Sequence, residues 1–221
     1  WAAHFNYLLP FFQDERYIKV NNKPMFVIYD APDISRIKER MDFWRKLAID
    51  AGFDGIYFVC TLKTQLDVRF AAEKSFDAQF EYMPTYALSR APGEFYVTWY
   101  DWKRRIYNLF MKWPSRFSYD LVWKNALRRT PRNGVSTFLG AFTDWDITAR
   151  WGRQGLCYKG GTPEKFGKFL SKQIARSREM NSDYIFITAW NEWSEGAYLE
   201  PDEKHRYAYL EQVKKALHGG N

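Results

Sequence analysis

At 221 residues, 46% of them hydrophobic, the chain is long enough for a sizeable core. No Pro/Gly/Ser linker divides it, so residues 1–221 are expected to form a single domain. Its two cysteines, Cys60 and Cys157, exclude a disulfide framework and a zinc spacing, no apolar run is long enough to span a bilayer, and no nucleic-acid motif accompanies the +7 formal charge.

The elements follow in order. Phe5 to Val20 has a helical look and ends at the Asn21-Asn22 turn. Pro24–Tyr29 reads as a buried strand stopping at Asp30-Ala31-Pro32, and Asp33 is placed to cap a helix with a stripe of Ile34, Ile37, Met41, Trp44 and Ala48. Gly52 ends that helix. Gly55–Cys60 is a second strand, with Cys60 expected as a buried, inert thiol. Phe76–Tyr82 is a third strand, closed by Met83-Pro84. An excursion from Thr85 to Arg132 holds an extended piece around Tyr96–Trp99 and a helix near Asp101–Met111. Val135–Ala141 is the fourth strand. Thr162-Pro163-Glu164 opens a helix with a hydroxyl cap, proline at the first position and then an acid, and Phe166, Phe169, Leu170 and Ile174 form its buried stripe. Tyr184–Ala189 is the fifth strand, and a helix from Tyr207 to Leu217 closes the chain.

Alternating strands and helices predict a parallel α/β sheet with right-handed crossovers. Polar and aromatic clusters fall just after the strands, at Asp30, Glu81-Tyr82, Asp144-Trp145-Asp146 and Trp190–Glu195. Side chains there converge when all strands point one way, as at the active face of a (β/α)8 TIM barrel. A doubly wound open sheet is the competitor. About five βα units are visible against the eight of a complete barrel, so the chain reads as its C-terminal five units. The chain opens at Trp1 without a Met, and the earlier strands are expected in sequence upstream of it. No signal peptide opens it, which makes the cytoplasm the default location.

The chemistry concentrates in Trp190-Asn191-Glu192-Trp193-Ser194-Glu195-Gly196-Ala197-Tyr198. After a strand end, a spacing of three brings Glu192 and Glu195 to one side, where both reach a shared substrate. Paired carboxylates flanking a sugar, with rings to stack on it, are the equipment of glycoside chemistry. In an aromatic-lined site the two acids titrate apart, and one stays protonated to serve as acid. The bland reading pairs both with surface Arg or Lys. Asp144-Trp145-Asp146 is the rival motif, since an Asp-x-Asp after a strand holds a divalent metal in many glycosyltransferases, but no Gly-rich phosphate loop accompanies it. Asp146 with Arg150 either contacts sugar hydroxyls or forms an ion pair. Glu81 either faces the same site or balances an arginine. The aromatic share of 19% suits either a ring-rich core or stacking on a ligand. Lys103-Arg104-Arg105 and Arg128-Arg129 with Arg132 read as solvated helix faces, with an acidic polymer as the sharper reading.

Asp14–Tyr29, Phe76-Asp77-Ala78, Gly140–Arg150 and Ile187–Asp202 together resemble the WbsX-type glycosyltransferase-like family of bacteria. That family's domain is related to the family-99 glycoside hydrolases, the endo-α-mannanases and endo-α-mannosidases. The resemblance implies a TIM barrel in which three strands precede this chain. Those hydrolases carry Asn-Glu-Trp-His-Glu-Gly where this chain has Asn191–Gly196. By that match Glu192 deprotonates the substrate's own 2-hydroxyl in a retaining route through an anhydro sugar, and Glu195 is the general acid/base. Ser194 stands in place of their His.

The expectation is therefore a retaining endo-type glycoside hydrolase acting on a polysaccharide or glycan, with no metal or other cofactor. Glu192 and Glu195 are its catalytic acids, and Glu81, Trp145, Asp146, Arg150, Trp190, Asn191, Trp193 and Tyr198 bind substrate. The alternatives are a glycosyltransferase of surface-polysaccharide assembly and a non-catalytic glycan-binding protein.

Overall fold

A computed structural model describes residues 1–89, 114–129 and 134–219. The expected pieces at Tyr96–Trp99 and Asp101–Met111, with Lys103, Arg104, Arg105 and Arg132, lie outside the described residues. The chain divides into two units. Trp1–Leu62, Leu66–Phe80 and Pro131–Thr137 form the first, and Lys63–Gln65, Glu81–Thr130 and Phe138–Asn221 the second.

The first unit contains α1 (Ala2–Gln13), β1 (Lys19–Val20), β2 (Lys23–Ile28), α2 (Ile37–Asp50), β3 (Tyr57–Leu62), α3 (Gln65–Glu73) and most of β4 (Ala78–Glu81). Its strands lie in the order β1-β2-β3-β4, and β2 runs parallel to β3 with Met25 opposite Tyr57 and Ile28 opposite Cys60. The expected helix over Phe5–Val20 stops at Gln13. Asp14 turns the chain by accepting the Arg16 N–H at 2.9 Å. Asn21 and Asn22 then take φ of 48° and 57° and close a two-residue hairpin that pairs Val20 with Lys23. Two consecutive positive φ values are what such a tight hairpin demands, and asparagine tolerates them.

Asp33 does not cap α2. It closes a short 3-10 turn, and the helix begins after Arg36, which is left-handed at φ 57°. Of the expected stripe, Ile37, Met41, Trp44 and Ala48 are buried, whereas Ile34 lies before the helix, at the end of the 3-10 turn, and is half-buried. Trp44 anchors the unit, with ring centroids 5.1 Å from Phe26 and 5.8 Å from Phe5 and its indole N–H on the Trp1 carbonyl at 3.1 Å. Cys60 is fully buried, and burial first and Asp67 second push its thiol up to about 12, so it is inert as expected.

The second unit contains α4 (Thr85–Leu88), β5 (Ser115–Ser118), α5 (Tyr119–Arg128), most of β6 (Ser136–Phe142), α6 (Thr148–Trp151), β7 (Leu156–Lys159), α7 (Pro163–Glu179), β8 (Ile185–Thr188), β9 (Asn191–Glu192), β10 (Ala197–Tyr198) and α8 (Ala208–His218). Strand β6 runs parallel to β8, with Phe142 opposite Thr188, and β5 runs parallel to β7. Thr162 Oγ1 caps α7 by accepting the Lys165 N–H at 3.3 Å, and Pro163 follows it, as the sequence predicts. Much of the aromatic excess is core. Trp123 is fully enclosed between Phe142 and Phe169, stacked at 4.7 and 5.4 Å.

Arg129 departs from its reading as part of a solvated face. It is buried, and its Nη1 donates to the Tyr86 carbonyl and to Ser89 Oγ, both at 2.9 Å. A guanidinium that satisfies the Tyr86 carbonyl of α4 and the hydroxyl of Ser89 just after it is worth more inside than outside. Gly140 permits a close approach of backbone to backbone, since a Cβ there would lie 1.8 Å from the Glu81 carbonyl oxygen.

Candidate functional site

All ten predicted site residues belong to the second unit. Strand β8 ends at Thr188, and the Trp190 carbonyl then accepts from the N–H groups of Leu199 at 2.9 Å and Glu200 at 2.8 Å. These bonds close a hairpin in which Asn191 pairs with Tyr198 and Glu192 with Ala197. Its tip is a 3-10 turn, Trp193–Glu195, ended by Gly196 at φ 63°. Glycine takes that left-handed φ at no steric cost. Glu192 stands in β9 at the entry to that turn and Glu195 at its exit, near enough for the charge of Glu192 to act on Glu195.

The two acids have different surroundings. The Glu195 side chain is 18% exposed, and its Oε1 accepts from Arg150 Nη1 at 2.9 Å. Burial and then the charge of Glu192 raise its pKa, against the opposing pull of Arg150. Glu192 is exposed, and its Oε1 accepts from Ser194 Oγ. The carboxyl that stays partly buried thus holds its proton more tightly than usual, beside a carboxylate within electrostatic reach. That is the asymmetry a general acid and its partner require.

The aromatic residues divide by exposure. Trp193 is 47% exposed, stacks on Tyr198 at 4.0 Å, and donates its indole N–H to Glu200 Oε2 at 2.7 Å. Trp190 is 53% exposed. Its ring has no ring or hydrogen-bond partner among the described residues, which leaves it open to a ligand. Trp145 is enclosed, at 9% exposure. Tyr198 OH donates to Asp202 Oδ2 at 2.7 Å; burial, aided by that bond, holds its phenol proton up to about 12.

Asp144 and Asp146 each commit an oxygen to the local backbone. Asp144 Oδ1 takes the Trp145 N–H at 2.8 Å, and Asp146 Oδ1 takes the Thr148 N–H at 2.9 Å together with its hydroxyl. Burial raises the Asp144 pKa over the pull of the Trp145 N–H, with the charge of Asp146 adding to the rise. The Asp146 N–H donates to the Glu195 carbonyl at 2.7 Å, so this segment touches the hairpin tip directly. Among the described residues no three His, Cys, Asp or Glu side chains converge as metal ligands.

Glu81 is fully buried, and its charged neighbours are Arg176 and Arg129 rather than hairpin residues. The Gly140 N–H lies near enough to favour the charged form yet outside hydrogen-bonding geometry, and neither carboxylate oxygen has a hydrogen-bond partner among the described residues. A cavity of about 500 Å³ in the first unit, lined by Trp1, Phe26, Ile28, Trp44 and Phe58 among others, holds none of the predicted site residues.

Sequence reasoning passed over the second layer, Glu200 and Asp202, which tether Trp193 and Tyr198. Both lie inside the Ile187–Asp202 motif, but nothing in their spacing reveals these bonds. Trp151, 58% exposed and next to Arg150, was also missed.

The family model described as "Glycosyltransferase WbsX" matches residues 1–213. The protein WxcX of Xanthomonas campestris pv. campestris, in two strains, is 26% identical over 224 residues, covering 97% of this chain and 30% of the relative. The chain thus spans about a third of the length of these relatives. Among solved structures, a glycoside hydrolase-like protein matches at 13% identity with a TM-score of 0.63, over 97% of this chain and 59% of the other. A GH99 endo-alpha-mannosidase from Bacteroides thetaiotaomicron matches at 15% identity with a TM-score of 0.55, over 97% and 59%. These likenesses show an α/β fold similar to that of the GH99 proteins. No helix among the described residues is long and apolar enough to cross a membrane.

Proposed function

The chain belongs to the WbsX glycosyltransferase family, a family of carbohydrate-active enzymes, and from that premise we propose that it carries the catalytic acids of a retaining, endo-type glycoside hydrolase acting on a polysaccharide or glycan. The supporting observation is the acid pair at the hairpin tip, Glu192 entering the 3-10 turn and Glu195 ending it, with Glu195 partly buried and its pKa raised by burial and by Glu192. Glu195 protonates the departing glycosidic oxygen as its bond to the anomeric carbon breaks. Glu192 takes the proton of the 2-hydroxyl, whose oxygen closes onto that carbon, or acts on the carbon itself. Water then adds to the anomeric carbon from the opposite face as the bond just formed there breaks; it gives a proton to Glu195, while Glu192 returns its proton to the 2-oxygen or leaves as a carboxylate, which restores the original configuration.

Trp190 and Trp193 form the platform on which the sugar rings stack, with Asn191, Tyr198, Trp145 and Asp146 shaping the subsites. Removal of the open indole in Trp190→Ala raises KM on the order of tenfold, with kcat within about twofold. Steady-state kinetics on a polysaccharide check this, and an unchanged KM removes Trp190 from the site.

A glycosyltransferase is the second reading, favoured by the description of the matched family. The two separate in one assay. The intact protein is incubated with bacterial surface polysaccharides in the presence of a chelator, and the first anomer released is read by proton NMR. Metal-independent cleavage giving the retained anomer is expected. Turnover only with a sugar nucleotide and a divalent cation, lost in Asp146→Asn, moves the assignment to transfer. An inverted first product rejects the retaining route.

A further inference from the structure

The two carboxylate oxygens of Glu195 are held differently. Oε1 accepts from Arg150 Nη1 at 2.9 Å, whereas Oε2 takes no hydrogen bond among the described residues. Arg150 is not carried there by a loose loop. Asp146 Oδ1 fixes the start of α6 through Thr148, and the Arg150 and Trp151 N–H groups close onto the Ile147 carbonyl at 3.2 and 3.0 Å. The Ile147 N–H is itself held by the Leu156 carbonyl at 3.0 Å. Gly155 allows this fold-back to close, because a Cβ there would lie 2.8 Å from Thr148 Cα. The same segment grips the backbone of Glu195, through the Asp146 N–H on its carbonyl at 2.7 Å. Five residues, Asp146 to Arg150, thus hold Glu195 at main chain and side chain together.

We propose that Arg150 is the positioning residue of Glu195, clamping Oε1 so that Oε2 is the oxygen that gives and receives the proton at the scissile bond. The proposal rests on the reading of Glu192 and Glu195 as the catalytic pair. When the proton leaves Oε2 for the departing oxygen, the new carboxylate charge already has a guanidinium in contact. When water attacks, its proton returns to Oε2 and the clamp is unchanged. One guanidinium contact also fixes which way Oε2 faces, and misplacement by about 1 Å costs on the order of 10²-fold in rate.

The test is a carbon-13 NMR titration of glutamate carboxyls in the wild type, Arg150→Gln and Arg150→Lys, with the Glu195 signal assigned by its loss in Glu195→Gln. Loss of the cation in Arg150→Gln moves the Glu195 midpoint to higher pH, and Arg150→Lys restores part of the difference. In kinetics, Arg150→Gln lowers kcat by about 10- to 100-fold with KM within about twofold, and shifts the basic limb of the pH profile upward. A Glu195 midpoint unmoved in Arg150→Gln overturns the clamp. A moved midpoint with KM raised and kcat unchanged overturns the positioning role and gives Arg150 to the substrate. If the protein cleaves no glycan, the titration still decides the pairing, so failure of the hydrolase reading and failure of this proposal are distinguishable.

Discussion

Glu195→Gln in the intact protein lowers kcat/KM on an unactivated polysaccharide by about 10²–10⁴-fold, the range that one positioned proton donor contributes. An amide cannot protonate the leaving oxygen, so the loss is greatest where the leaving group is poorest. An aryl glycoside with an acidic phenol as leaving group departs without that proton, so the first turnover recovers most of its rate and phenol appears as a burst before the slowed attack of water. Glu192→Gln loses activity on both substrates, because the step at the 2-hydroxyl or the anomeric carbon is needed whatever departs. The pH dependence has a definite sign. Glu195 works in its protonated form, and its pKa is raised by burial and by Glu192. Wild-type activity is therefore kept above the ordinary carboxylate range and falls as pH rises through the elevated value. The basic limb is absent from the residual activity of Glu195→Gln. Initial rates of the three proteins on both substrates across pH check the assignment, and full turnover by both variants on the polysaccharide would sink it.

The parts of this protein legible in its sequence are those fixed by local chemistry. Thr162-Pro163-Glu164 reads as a helix start because a hydroxyl cap and a fixed φ act within four residues, and Thr162 Oγ1 caps α7 as read. The turn between Glu192 and Glu195 is local as well, closed by Gly196 at positive φ. What failed was set by partners distant in sequence. The apolar residues of Phe5–Val20 look helical throughout, yet Lys19 and Val20 pair with β2 once Asn21-Asn22 turns the chain. Arg129 looks like surface until the Tyr86 carbonyl, far back in the chain, claims it. Composition shows that rings are abundant but not that Trp123 lies between Phe142 and Phe169 while Trp190 stays open. The same limit hid Arg150 as the partner of Glu195, since the two are far apart in sequence and meet only when α6 folds against the hairpin tip.

Glu81→Gln removes the pH dependence of stability that this protein otherwise shows between mildly acidic and mildly alkaline conditions. The Glu81 carboxyl is fully buried, and neither oxygen has a hydrogen-bond partner among the described residues. Burial pushes its pKa from the ordinary 4.5 up to about 8, with Arg176, Gly140 and Arg129 offsetting only part of the cost. The folded state therefore binds this proton more tightly than the unfolded chain does. Between those two values the native protein holds the proton and the unfolded chain does not, so stability falls as pH rises across that window. At about 1.4 kcal/mol for each tenfold change in proton affinity, the difference corresponds to on the order of 5 kcal/mol, or a fall in Tm of roughly 10 °C for a chain of this size. Glutamine keeps the shape and carries no proton to lose. Calorimetric Tm values at pH 5, 7 and 9 are expected to decline in the wild type and to stay nearly level in Glu81→Gln, with the variant the more stable protein at pH 9. Parallel curves for the two proteins would mean that Glu81 already carries its charge in the folded state. The consequence reaches the site through the chain itself. Glu81 lies against Gly140 of β6, the strand that leads into Asp144, Asp146 and Arg150. Ionisation of Glu81 would load that strand with a buried charge that Arg176 and Arg129 offset only in part.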